Sequence, residues 1–235
     1  MSDHLLTCSG LTAGYAKVPV VTDVALSVGA GECVALLGRN GVGKTAIAQA
    51  IAGTIPLMGG EISFEGRQIG SWAADARARV GLRFAPDYRG VFRGLTVEEN
   101  FMLAANGARN VRYQEALPGL LRNRARQTAA RLSGGEQQVL AIACALASSP
   151  RVLVLDELSE GLSAIALDEM LSLLTTHAQR GMGVLLVEQR IEVVMRVASR
   201  CYILDFAGGC GGIVAELSTD ALRQDPSTAM RHLSL

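Results

Sequence analysis

The stretch GRNGVGKT, Gly38–Thr45, follows directly on the apolar run CVALL and leads into AIAQAIAG. Strand, glycine-rich turn and helix, in that order, is what a phosphate-binding loop needs: consecutive backbone N–H groups curl around phosphate oxygens, and the helix points its positive end inward. Gly38, Asn40, Gly41, Gly43 and Ala46 contribute backbone, Lys44 reaches the β and γ phosphates, and Thr45 offers a hydroxyl to Mg2+. A second run, VLVLDE (Val152–Glu157), delivers two carboxylates at the end of an apolar segment. Ligands of open α/β sheets collect beyond the carboxyl ends of the strands, so Asp156 is placed to hold Mg2+ and Glu157 to face an attacking water.

Two further stretches carry polar groups where apolar ones would be expected. In LSGGEQQVLAIACALAS, Ser133 and Glu136 have the spacing of a capping box, which predicts a helix from Gly134 to about Ser148. Glycines in its first turn cost up to about 1 kcal/mol each against alanine, so something is expected to approach that backbone closely, and an anion fits. In GVLLVEQRIE, residues 183–192, a run with the character of a buried strand breaks into Glu188, Gln189 and Arg190.

The elements that must position these residues alternate. Strands are predicted at 18–28, 33–37, 61–64, 80–84, 152–155, 184–187 and 202–204. CVALL, VLVL and VLLV are apolar on both faces, as parallel strands covered by helices must be. Between about Thr96 and Ser148 the strand signal disappears and helical spacing replaces it, which suggests a helical insertion. AGGCGG at 207–212 reads as a turn between late strands. The chain has 235 residues, 49% of them hydrophobic and 19% charged, enough for one substantial core. Its 22 basic and 22 acidic residues balance, so nothing favours a nucleic-acid partner. The five cysteines form no CxxC pair, which fits a reducing cytoplasm. No run approaches the roughly 20 apolar residues that span a bilayer, and the start lacks the pattern of a leader.

GRNGVGKT, LSGGEQQ and VLVLDE, in that order and spacing, resemble the Walker A, signature and Walker B motifs of ATP-binding cassette (ABC) ATPases. The resemblance covers essentially the whole chain. It implies an α/β fold, a P-loop NTPase (RecA-like) core with an antiparallel β subdomain and an inserted α-helical subdomain. As a single ABC ATPase domain over 1–235, the core would take 1–86 and 149–235 and the helical part 87–148. It also implies a head-to-tail dimer binding two ATP, each clamped between Walker A of one copy and the signature of the other. By the same resemblance Tyr15 stacks on adenine, and Ser133, Gly135 and Gln137 face the partner's γ-phosphate. Where most of the superfamily carries a switch histidine, this chain has Gln189. A glutamine amide can donate to a phosphate oxygen without titrating near neutrality. Gln189 is therefore the expected γ-phosphate sensor and Glu157 the general base or water-orienting group, with Lys44 as the third catalytic residue.

VEQ at that place, with YRGVFRGLTVEEN (88–100) and SGGEQQ, is similar to the second ATP-binding subunit of bacterial branched-chain amino acid importers and to their urea and amide relatives. In that group an acid commonly replaces the Q-loop glutamine, and Asp87 stands there as a candidate for the Mg2+ shell. The implied partners are integral membrane permeases, contacted through Val91 and Phe92, a second cassette ATPase, and a solute-binding protein indirectly. The implied location is the cytoplasmic face of the membrane, through the permease. Three departures stand out: Ala46 lacks the usual hydroxyl, Leu158 and EGLSA replace a proline and a GLxP pattern, and AGGCGGIVAEL is atypical. Two alternatives stay open, a soluble ATP-driven clamp and a nucleotide-binding module without turnover.

Overall fold

The computed structural model describes residues 4–86, 90–105 and 117–233. Its strands are β1 (His4–Tyr15), β2 (Val18–Gly29), β3 (Cys33–Gly38), β4 (Leu57–Phe64), β5 (Arg67–Gln68), β6 (Leu82–Ala85), β7 (Val152–Asp156), β8 (Gly183–Glu188), β9 (Arg200–Ala207) and β10 (Cys210–Ser218). Among the described residues they form one mixed sheet in the order β5, β4, β1, β2, β10, β9, β3, β8, β7, β6. The segment from β3 through β8 and β7 to β6 is parallel, and β1, β2, β4 and β5 make an antiparallel arm. The two parts are joined where Gly211 of β10 pairs with Val21 of β2. The mixed α/β, P-loop NTPase architecture is as expected.

The parallel strands β3, β7 and β8 are apolar on both faces because each one serves two cores. In β3, Cys33, Ala35 and Leu37 pack into a cluster on the side of the 134–147 and 164–179 helices, while Val34 and Leu36 pack with α1 (Lys44–Ala52) and the antiparallel arm. Strand β7 divides in the same way, Leu153 and Leu155 against Val152 and Val154, and β8 sends Val184 and Leu186 one way and Leu185 and Val187 the other. Successive side chains of a strand point to opposite faces, so a run without polar residues has both faces covered.

Strand β1 was not among the predicted strands. Its pairing with β2 slips between Cys8 and Leu11 and again near Ala13. Such bulges break the period of two on which strand prediction depends. The strand predicted from Val80 begins at Leu82 instead, because α2 (Ala74–Arg79) precedes it and Gly81 (φ 99°) turns the chain between them. AGGCGG supplies the turn at Gly208 and Gly209, but Cys210 already opens β10. Gly211 lies so near the phosphate loop that a Cβ would come 1.9 Å from the Val42 carbonyl oxygen. This close contact accounts for part of the unusual glycine content there.

The phosphate-loop helix α1 is held from behind by Arg77 of α2, a fully buried guanidinium. It donates to the carbonyls of Ala50 and Ile51 at 2.7 Å, closing the C-terminal end of α1, and to Gly70 and Trp72 at 2.8 and 3.0 Å. The positive charge also complements the negative end of the helix. Arg77→Met would leave four carbonyls without this donor. We expect it to lower the unfolding free energy by about 2–4 kcal/mol in a urea titration, because unsatisfied buried acceptors lose their solvation.

Candidate active site

Strand β3 ends at Gly38 and α1 begins at Lys44, with Gly43 at the N-cap in the left-handed region (φ 105°). The loop between them leads into a cleft of about 260 Å3 lined by Tyr15, Asn40, Gly41, Gly43, Lys44, Thr45, Ala46 and Glu157. Eight of the predicted residues therefore meet in one place. Lys44 is only 4% exposed, and its ammonium donates to the carbonyls of Gly38 at 2.7 Å and Arg39 at 3.0 Å. Burial pushes its pKa down, and the charges of Glu157, Asp156 and Glu188 push it back up. Tyr15 stands at the corner of the β1–β2 hairpin, whose turn residues Ala16 and Lys17 are left-handed (φ 50° and 66°). Its hydroxyl donates to Gln49 Oε1 of α1 at 2.8 Å, so the ring is tied to the phosphate-loop helix.

Asp156 closes β7 at 1% exposure, level with Val187 of the neighbouring β8. Asp156 and the Thr45 hydroxyl are hard oxygen donors, the kind Mg2+ takes from protein in ones and twos beside substrate phosphates. The donor chemistry fits that ion, although no cluster of three or more His, Cys, Asp or Glu exists among the described residues. Asp87 lies outside the described residues. After Asp156 the chain turns abruptly: Glu157 has φ 53° and donates its N–H to the Val187 carbonyl at 3.0 Å. A left-handed non-glycine residue costs about 1–3 kcal/mol and persists only where its surroundings hold it. The turn aims the Glu157 carboxyl into the cleft, where its pKa rises to about 7. The largest cause is a hydrogen bond with the Glu160 carboxyl, followed by desolvation and the Glu160 charge, against the opposing pull of Lys44.

The end of β8 holds what the sequence reading left unexplained. Gln189 is exposed just beyond the strand. Glu188 is 2% exposed and accepts three backbone N–H bonds: Ser159 at 2.9 Å, Gln189 at 3.0 Å and Arg190 at 3.2 Å. Neither this role nor the Glu157–Glu160 contact was predicted. The available signal was a carboxylate ending an apolar run with no cation in the preceding strand residues.

Ser133 caps the 134–147 helix in the predicted capping box: Glu136 donates its N–H to Ser133 Oγ at 3.3 Å, and the Ser133 N–H reaches Glu136 Oε2 at 2.8 Å. Gln137, expected to face the partner's γ-phosphate, is turned away from the surface in the single chain. It is buried, and its amide donates to the Ala129 and Leu132 carbonyls at 2.9 and 3.2 Å, which braces the turn before the helix. The close approach expected at the glycines comes from within the chain: a Cβ on Gly135 would stand 2.6 Å from the Gly161 carbonyl oxygen.

The ABC transporter family profile matches residues 21–160, more than half of the chain. The chain belongs to the ABC transporter family, as an ATP-binding subunit. It is 33% identical over 207 residues to the high-affinity branched-chain amino acid transport ATP-binding protein BraG of Pseudomonas aeruginosa, spanning 86% of this chain and 89% of that one. It is 31% identical over 232 residues to the lipopolysaccharide export system ATP-binding protein LptB of Haemophilus influenzae, spanning 94% and 93%. A solved ATP-binding subunit of an ABC transporter superposes with a TM-score of 0.83 at 27% identity, covering 98% of this chain and all of that one. As an ABC ATPase the chain binds and hydrolyses ATP, and subunits of this kind dimerise and pair with membrane permease components. No helix among the described residues is long and apolar enough to cross a membrane.

Because Glu160 and desolvation favour the neutral form of Glu157, hydrolysis is expected to lose rate as pH falls through about 7, where the carboxylate that would orient water takes up a proton. Glu160→Gln replaces a negative neighbour by an amide that donates to the charged form, so the acid limb should move to lower pH. A pH–rate profile of both proteins checks this, and coincident acid limbs would exclude it.

Proposed function

We propose that this chain energises an importer for branched-chain amino acids or a related small polar solute, hydrolysing MgATP in a head-to-tail pair of cassettes. The observation that carries this reading is Gln189 at the end of β8, beside the phosphate-loop strand β3, in a chain that is 33% identical to BraG. Similarity to LptB, named for lipopolysaccharide export, shows that the ATPase alone does not dictate the solute.

In this reading Tyr15 stacks on adenine and the N–H groups of Gly38–Thr45 hold the phosphates at the positive end of α1. Lys44 exchanges loop carbonyls for phosphate oxygens. Thr45 and Asp156 hold Mg2+, which neutralises phosphate charge, and Asp87 is a third candidate ligand. Glu157 orients the attacking water and accepts its proton, while the Gln189 amide donates to the γ-phosphate. Ser133 and the Gly135 backbone serve the nucleotide of the facing cassette. Hydrolysis removes the group that bridges the halves, and the pair opens. Residues 1–86 and 149–235 act as the core, and 87–148 as the helical subdomain that meets the permease.

A groove of about 520 Å3, lined by Ala52, Ala78, Phe84, Pro86, Gly90 and Ala141 among others, is the seat this reading gives to a permease helix. Phe92 beside it is 62% exposed, and Asn100 pins its backbone by accepting the Phe92 N–H at 2.7 Å and donating to its carbonyl at 3.0 Å. Val91 is partly buried against the core, which leaves Phe92 as the better contact. The permease would hold the chain at the cytoplasmic face, next to a second cassette ATPase, with the solute-binding protein contacted only indirectly.

Mild-detergent affinity purification from native membranes is expected to recover polytopic permeases and a second cassette ATPase. Ribosomal or DNA-processing proteins recovered from the soluble fraction would favour a clamp instead. In the recovered complex Glu157→Gln should abolish turnover, and Gln189→Ala should lower kcat by about 10- to 100-fold with ATP affinity retained. Unchanged kcat in Gln189→Ala would remove Gln189 from the mechanism.

A further inference from the structure

Glu188 is a buried carboxylate at the junction of three strand ends, and its charge acts on Lys44 of the nucleotide cleft. Leu37 of β3 pairs with it on one side, and on the other Val187 is level with Asp156 of β7. One carboxylate oxygen accepts from Ser159, in the loop that follows Glu157, and the other accepts from Gln189 and Arg190. Bonds from backbone N–H groups to an ionised carboxylate are about twice as strong as neutral ones, and here they are shielded from water. The loop so held runs on to Gly161, whose carbonyl abuts Gly135 in the first turn of the signature helix. At its far end Ser163 caps the 164–179 helix by accepting the Ala166 N–H at 3.3 Å.

We propose that Glu188 is a positioning residue that locks the turn at Gln189 and the 158–163 loop into one body, so that γ-phosphate contact at Gln189 is relayed to the loop beneath the chain's own signature helix. The inference rests on Gln189 being the γ-phosphate sensor. Two segments hydrogen-bonded to opposite oxygens of one rigid carboxylate cannot shift independently without breaking a desolvated bond. In the loop, Leu158 is fully buried and anchors the near end, so movement of the Ser159 backbone is passed toward Gly161. The signature helix serves the nucleotide of the facing cassette, and the relay therefore connects the two ATP sites through each protomer.

Amide hydrogen exchange with mass spectrometry on the full chain tests this. The chain is kept at a concentration shown to be monomeric by sedimentation, with Mg2+ and either ADP or a non-hydrolysable ATP analogue. In wild type the analogue should slow exchange relative to ADP by about tenfold both at 186–192 and at 158–163. Glu188→Asp keeps the charge and the local bonds to residues 189 and 190, but one methylene less puts Ser159 out of reach. In this variant slowing should persist at 186–192 and fall to within about twofold of none at 158–163. Glu188→Gln, whose amide nitrogen cannot accept, should likewise uncouple the loop. Absence of any analogue effect at 186–192 in wild type would overturn the sensor reading of Gln189. A wild-type response at 186–192 without one at 158–163, or a loop response retained in both variants, would overturn the relay itself. Where one variant fails to fold, the other tests the role of Glu188, and the wild-type comparison by itself can still overturn the relay.

Discussion

A buried ammonium held by two loop carbonyls in the field of three carboxylates is the constraint on which the structure depends. Lys44 cannot be withdrawn from water alone, since an uncompensated buried charge costs several kcal/mol. Its ammonium bonds to the Gly38 and Arg39 carbonyls, and the charges of Glu157, Asp156 and Glu188, at one turn and the ends of two strands, offset part of the cost of burial. Those strands, β7 and β8, can only deliver the three groups together if their register with β3 is held. A slip of one residue would turn each side chain to the opposite face of the sheet. The two cores that cover β3, β7 and β8 on both sides hold that register, so the apolar runs and the charged ends are parts of one arrangement.

The departures from the usual family pattern are absorbed by local substitutes. Leu158 stands where a proline is usual; it fills the core and keeps its chain in the turn by burial, while Glu157 takes the left-handed conformation and ties its N–H to β8. Ser163 caps the next helix in place of a more usual loop end. Gly211 lets β10 rest directly on the phosphate loop. In each case the same segment is held by a different contact, which is consistent with a working nucleotide site on an altered loop. Ala46 has no substitute hydroxyl among these contacts.

In the signature region the close contact that the glycines imply is made within the chain. Two glycines opening a helix indicate a close neighbour. That neighbour is the Gly161 carbonyl of the same chain, and the adjoining Gln137 spends its amide on the carbonyls before the helix. Ser133 is left as the exposed side chain at the helix start. Contacts of this kind join segments 26 residues apart (Gly135 and Gly161) and have no trace in local spacing.

By itself the sequence determined the phosphate loop, the carboxylate pair after VLVL, the capping box at Ser133 and the parallel α/β core. Each of these is a local pattern: a run of apolar residues, a glycine spacing, a cap three residues from its acid. It also pointed to Gln189, because a polar residue ending a buried strand is conspicuous. Only the tertiary structure decided what Glu188 does, that Glu157 shares a hydrogen bond with Glu160, that Arg77 closes the end of α1, and that β1 is a long bulged strand in the sheet. Apart from the Glu157–Glu160 contact, which is between neighbouring side chains, these depend on backbone groups brought together from distant parts of the chain. A backbone N–H is present at nearly every position, so no residue type announces which one a buried carboxylate or guanidinium will meet.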